Sequence, residues 1–292
     1  MNKVLIILLC ILFSPSYLAA SGAFPIYDEN TSLIGKSSGL VLKNNETLIE
    51  LAREYDVGYN EIIEANKDID PWVPGKNSSI VLPTSWLLPE MLEKGILINL
   101  AELRLYYFFS VQESRYVKTY PLGIGRQGFN TPTGNYRITF KTKDPVWKVP
   151  EASRLANPEL PLYIPPGPDN PLGEFWLQLS IDTYGIHGTN RPYGIGRNVS
   201  QGCIRLYPED IEDLYGYVKP GTVVKIIDEP VKVGRDKDNV FIEVHRADRS
   251  ESEIIKLAIE KLNRKHLLKD VDTVLLIRSI KSATGLPALI SQ

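Results

Sequence analysis

The sequence predicts an α+β protein, mainly β: a β-sandwich or barrel with a small β-α-α-β unit in front and a helical extension behind. Three observations carry this. Between residues 96 and 228, short runs rich in β-branched and aromatic side chains are separated by Gly/Pro turns. Between residues 40 and 84, two runs at helical spacing lie between two strand-like ones. Beyond residue 250 helical spacing returns. A chain of 292 residues has room for a core without metal or disulfide staples, and its length suggests about two domains.

The N-terminus reads as an export signal. Lys3 supplies a positive start, Val4 to Phe13 is unbroken apolar sequence, and Ala19, Ala20 and Ser21 are the small residues of a cleavage site. The apolar run is too short for a membrane-spanning helix of about 20 residues. Residues 1–20 are therefore expected to be a signal peptide, and the mature protein to be periplasmic. Removing them takes Lys3 and Cys10 and no acid.

In residues 40–84, Leu40-Val41-Leu42 reads as a strand. Asn45 or Thr47 caps a helix with Leu48, Ile49, Leu51 and Ala52 on one face. A second helix carries Ile62, Ile63 and Ala65, and Ser79 to Pro83 closes the unit as a strand. Residues 96–228 give strands at 96–99, 104–109, 118–123, 134–139, 175–179, 185–187 and 222–227, with a helix at 208–215. Pro145 to Pro171 is a proline-rich insertion, of a length usual for lids and binding loops. Residues 229–292 predict one strand at 240–244. A helix opened by Ser250 or Ser252 then buries Ile254, Ile255, Ala258, Ile259 and Leu262, and an apolar stretch runs from Val271 to Ile280.

Charge and cysteine content narrow the function. With 33 basic and 35 acidic residues the net charge is −2, which argues against nucleic acid as a partner. Two cysteines exclude a disulfide scaffold and a four-cysteine zinc site. Export would leave Cys203 as one unpaired thiol in an oxidising compartment. His187 lies sixteen residues before it and is the only histidine of the strand-rich region. A thiol is mostly protonated at neutral pH, and an adjacent imidazole can take its proton. Gly202 lets backbone approach a substrate without a Cβ. The amide of Cys203, with or without that of Gly202, can stabilise an oxyanion. Arg205 shares a strand face with Cys203 and can fork a carboxylate. Ser200 and Asn190 can bond the reactive pair or simply shape turns. Trp147, Trp176 and Tyr184 can line a cleft or pack a core. No histidine–carboxylate spacing suggests a metal, and a thiolate needs none, so no cofactor is expected. Gly123-Ile124-Gly125-Arg126-Gln127-Gly128 fits a dinucleotide fingerprint, but Asn130-Thr131-Pro132-Thr133-Gly134 follows where a helix must open.

The segment His187-Gly188-Thr189 followed by Ser200-Gln201-Gly202-Cys203-Ile204-Arg205 resembles the catalytic motif of the L,D-transpeptidases (YkuD-like). Leu122 to Gly125 with Thr131 to Gly134 is similar to another recurring loop of that family. Asn45 to Ala52, Glu61 to Asn66 and Ile80 to Pro83 resemble a LysM peptidoglycan-binding module. The resemblance implies a L,D-transpeptidase catalytic domain at 96–228 behind a LysM module at 40–84, with a C-terminal strand and helical extension at 229–292. It implies Cys203 as nucleophile, His187 as base, and Arg205 as a substrate-carboxylate or structural contact. Gly202, Ser200, Gln201, Gly188 and Thr189 are implied around oxyanion and substrate. Many family members have a second histidine where this chain has Gln201, which can orient groups but carry no proton. The implied substrate is peptidoglycan stem peptide. The acyl acceptor is a stem-peptide amine, a lysine of an outer-membrane lipoprotein, a D-amino acid, or water in a carboxypeptidase. The remaining alternative is a non-catalytic peptidoglycan-binding protein.

Overall fold

A computed structural model describes residues 22–26, 32–43, 46–89 and 92–291. The expected export segment, residues 1–20, and Asn45 lie outside them. The first unit holds β1 (Phe24–Ile26), β2 (Leu33–Gly35), β3 (Ser38–Val41), α1 (Leu48–Glu54), α2 (Tyr59–Ala65), β4 (Ser79–Leu82) and β5 (Ser85–Leu87). β3 and β4 pair antiparallel, with both helices between them in the chain. Thr47 caps α1 in a capping box: its Oγ1 accepts the Glu50 amide, and the Glu50 carboxylate accepts the Thr47 amide at 2.9 Å. β2 and β5, which the sequence does not predict, pair with each other.

The central unit contains β6 (Gly95–Asn99), β7 (Arg104–Val111), β8 (Ser114–Pro121), β9 (Ile124–Gly125), β10 (Gly134–Lys143), β11 (Trp147–Lys148), α3 (Glu151–Ala156), β12 (Tyr163–Ile164), β13 (Phe175–Leu179), β14 (Gly185–His187), β15 (Asn198–Ser200), β16 (Ile204–Arg205), α4 (Pro208–Tyr217) and β17 (Val223–Ile227). One nine-stranded sheet runs in the order β1-β8-β7-β6-β17-β10-β13-β14-β16. A bridge from Arg205 to Gly123, just beyond β8, returns the far edge to the near one, so the sheet curls on itself. Ile98, Leu105, Leu177, Ile186, Ile204 and Val224 fill the curl, and α4 adds Ile211 and Leu214. Chain 126–133 has no helix, so the glycine fingerprint is not a dinucleotide loop.

The outer face of β6–β8 is also covered. Leu97, Tyr106, Phe108 and Val117 pack against Leu48, Leu51, Ile62, Ile80 and Trp86 of the first unit. Burial on both faces explains why Ile96-Leu97-Ile98 is apolar without alternation. A buried ion pair fixes the docking: the Arg104 guanidinium holds both Glu61 oxygens at 2.8 Å, and Trp86 Nε1 donates to the same carboxylate at 3.0 Å.

The last unit, β18 (Val231–Asp236), β19 (Asn239–Val244), α5 (Glu251–Arg264), α6 (Thr273–Ser282) and β20 (Ala288–Leu289), is a three-stranded sheet under two helices. Ser250 caps α5, which buries Ile254, Ala258 and Leu262. Ile259, expected inside, is 39% exposed because only the narrow i, i+4, i+8 stripe faces the sheet. Lys232 enters a buried box, with its ammonium 2.5 Å from Glu102 and 2.6 Å from Glu243. His245 donates to the same Glu243 at 2.7 Å, so a lysine is already the cation among these acids. No helix among the described residues is long and apolar enough to cross a membrane.

Candidate active site

The fifteen residues between His187 and Cys203 form a connection that lets β14 and β16 lie parallel. Ile186 pairs with Ile204, and His187 with Arg205. Alternation along a strand then puts Cys203, Arg205 and His187 on one face. That face floors a cleft of about 1030 Å³. Cys203, His187, Arg205, Ser200 and Gln201 line it; Gly188, Thr189 and Gly202 do not.

The imidazole is fully oriented. Nδ1 lies 2.6 Å from the Gly188 carbonyl; a carbonyl only accepts, so Nδ1 carries the proton and Nε2 keeps the lone pair. Trp176 stacks on the ring with centroids 5.5 Å apart. Burial, and then the Arg205 charge, lower the His187 pKa to about 3; the Gly188 and Leu172 carbonyls oppose this in part. Burial raises the Cys203 thiol above its ordinary value, against the Gly185 backbone and Arg205. The resting site thus holds an uncharged thiol and an uncharged imidazole in one cleft. The thiol rests on the Thr183 carbonyl, 3.4 Å away.

Ser200 shapes the turn before the thiol. Its hydroxyl donates to the Cys203 carbonyl at 2.6 Å and accepts the Gly202 amide at 3.0 Å. The Gly202 amide is therefore already used, which corrects its expected share in an oxyanion site. Its missing Cβ also serves a different end: at φ +108° a Cβ would stand 2.7 Å from the Tyr184 ring, so Tyr184 fills the space expected for substrate. The Thr131 hydroxyl ties the Gly202 carbonyl at 2.7 Å, which gives the Thr131–Gly134 loop its place behind the site. Thr189 and Gly188 serve the fold and not the cleft. Thr189 Oγ1 accepts the Arg191 amide at 2.9 Å, and a Cβ on Gly188 would press on Ile211 at 3.1 Å.

The proline-rich insertion forms the cleft's other wall. It holds the β11–β12 pair and the short helix α3. Fully buried Asn170 staples its base by donating to the Pro145 carbonyl at 2.7 Å and the Pro165 carbonyl at 3.2 Å. Asn190 donates to the Asp169 carbonyl at 3.2 Å, so it anchors this insertion and not His187. At the tip, Gln201 Nε2 donates to Ser153 Oγ of α3 at 2.9 Å. Gln201 is thus tied to the insertion. Trp147 and Trp176 line the cleft. Sequence reasoning missed Arg126, Lys148 and Arg154 there, because a cation inside a loop has no periodic signal.

Residues 93–226 match the YkuD family, the L,D-transpeptidase catalytic domain. The chain is 38% identical over 239 residues to the probable L,D-transpeptidase YcfS of Escherichia coli K12, covering 78% of this chain and 74% of that one. It is 35% identical over 284 residues to the probable L,D-transpeptidase YbiS of the same strain, covering 92% of each. Among solved structures, the catalytic domain of the E. faecium L,D-transpeptidase is 21% identical with a TM-score of 0.37, covering 48% of this chain and 100% of that one.

Proposed function

Since the chain belongs to the L,D-transpeptidase family, which acts on peptidoglycan, we propose that it is an exported, cysteine-dependent acyltransferase of peptidoglycan stem peptides. His187 Nε2 takes the Cys203 proton as Sγ turns from the Thr183 carbonyl toward it. Sγ attacks the carbonyl before the terminal D-residue, and the Cys203 amide carries the oxyanion. The tetrahedral adduct collapses to a thioester. The terminal D-amino acid leaves with the proton returned by the imidazolium. An amine then attacks the thioester, His187 takes its proton, and the thiol is restored. Stem peptide and lipoprotein lysine are the acceptors proposed.

The observation that carries this reading is the parallel β14–β16 pair, which sets His187 beside Arg205 on the strand that follows Cys203. The β3-α1-α2-β4 unit is proposed as a LysM module for wall glycan. Its Asp70–Gly75 turn exposes Trp72 and Val73, an apolar surface free to stack on sugar. Residues 1–20 are proposed to send the chain to the periplasm.

Mass spectrometry of the products, with and without added amine, tests the transfer. The proposal predicts a peptide–amine adduct that is absent with Cys203→Ala. Free shortened stems alone, whatever amine is present, would make the enzyme a hydrolase.

A further inference from the structure

The cleft wall is charged in a way the thiol chemistry leaves unused. Its lining carries Arg126, Lys148, Arg154 and Arg205 against one acid, Glu151. Two of these cations are unsatisfied. The Nε atoms of Arg154 and Arg205 are both buried, and neither has a hydrogen-bond partner. Among the described residues neither arginine is ion-paired. A buried donor on a charged group without a partner is rare, and it calls for a ligand.

The two arginines come from opposite walls. Arg205 lies on β16, next to His187. Arg154 lies on α3, and its neighbour Ser153 is bonded to Gln201, two residues before the thiol. The Asn170 staple fixes the base of the same insertion. Arg154 thus stands on a wall of the cleft that is tied down beside the thiol before substrate arrives.

We propose that Arg154 is a substrate-binding residue that, with Arg205, grips the terminal carboxylate of the donor peptide. This rests on the transpeptidase reading. The residue that leaves is the last of its peptide, so its α-carboxylate sits one residue beyond the carbonyl attacked by Cys203. A guanidinium matches a carboxylate with two parallel hydrogen bonds. Gripping it from lid and floor makes the enzyme select chain ends and reject internal peptide bonds.

Binding tests this without turnover. In Cys203→Ala protein, Kd is measured for a D-Ala-terminated stem tetrapeptide and for its C-terminal carboxamide. The free acid is expected to bind about tenfold more tightly or better. Adding Arg154→Gln should bring the ratio near one, and Arg154→Lys should keep part of it. Arg126→Gln, which removes a cation stacked 5.0 Å over the Phe129 ring in the same cleft, should leave the ratio within about twofold. Equal binding of acid and amide, or a ratio unchanged by Arg154→Gln, overturns the proposal. So does an equal loss with Arg126→Gln, which would mean a diffuse field and no grip. Acylation is read separately on protein with Cys203 intact, so a missing acyl-enzyme counts against the transpeptidase reading and a missing acid–amide ratio against the grip.

Discussion

At the scale of single residues, burial decides the protonation of the reactive pair. His187 stays neutral down to about pH 3, so the imidazole can accept a proton above that. The Cys203 thiol, pushed up by burial, loses its proton only as pH rises past the ordinary thiol range. A preformed thiolate–imidazolium pair would instead be reactive on a plateau between two pKa values. Alkylation of Cys203 by iodoacetamide should therefore climb steadily from pH 5 to 9, with no inflection at the usual histidine pKa. A flat rate below pH 7 would show that the ion pair forms at rest. The motif residues were legible one by one, but two of their roles were not. Gly202 and Ser200 bond and pack within the turn, and nothing in their spacing tells turn chemistry from oxyanion chemistry.

At the scale of elements, the insertion between β10 and β13 is held at its base by Asn170, with Asn190 and Gln201 as further ties. Asn170 also accepts the Leu172 amide at 2.9 Å, so Asn170→Ala leaves three backbone groups without partners. An unpaired buried group costs about 1–3 kcal/mol, so the insertion should open locally. Hydrogen exchange should quicken across residues 145–171 and hold steady in β7 and β13. A loss of protection spread evenly over the sheet would contradict local opening. Elements with a strong period were legible: α1 with its capping box, α5 with Ser250 before it, and the central strands. β18 was not, because Val231 and Val233 flank Lys232 and Gly234-Arg235-Asp236 follow, too short an apolar pattern to read. That lysine is buried only because Glu102 lies 130 residues away in sequence and closes over it. β2 and β5 have three residues each and carry too little pattern to read.

At the scale of the whole molecule, the three units are locked together through charge. Glu61 of α2 meets Arg104 of β7, and the start of α2 bonds the loop before Cys203: the Tyr59 and Asn60 amides donate to the Ile195 and Gly196 carbonyls at 3.2 Å. The proposed wall-binding unit is therefore built against the loop that leads to Cys203. None of this was legible, since nothing in the sequence pairs Glu61 with Arg104, 43 residues on. The same interface buries Asp56 against Asp210 of α4. Burial raises both carboxyls, Asp56 from 3.8 to about 7 and Asp210 well above its ordinary value; the Asp56 charge and its hydrogen bond raise Asp210 further, while the bond to Asp210 lowers Asp56. Arg104 opposes the shift, and Glu61 and Glu209 enhance it; Arg53 in turn pairs with Glu209 at 3.0 Å. Between the unfolded and folded values the folded chain holds protons that the unfolded chain has lost, so stability falls as pH rises from about 4 to 7. Asp210→Asn keeps a hydrogen bond without the second charge. It should flatten the Tm profile over that range and raise Tm by several degrees at pH 8. An unchanged slope would mean that the pair does not titrate across this interface.

The central claim is that Cys203 is acylated with His187 as its base, and covalent capture tests it most directly. After incubation with a carbapenem, the intact protein should gain the full mass of the drug. The same adduct should be missing from Cys203→Ala and form about 10²–10⁴-fold more slowly with His187→Ala. No adduct on the unaltered protein, or an equal rate with His187→Ala, would contradict the account.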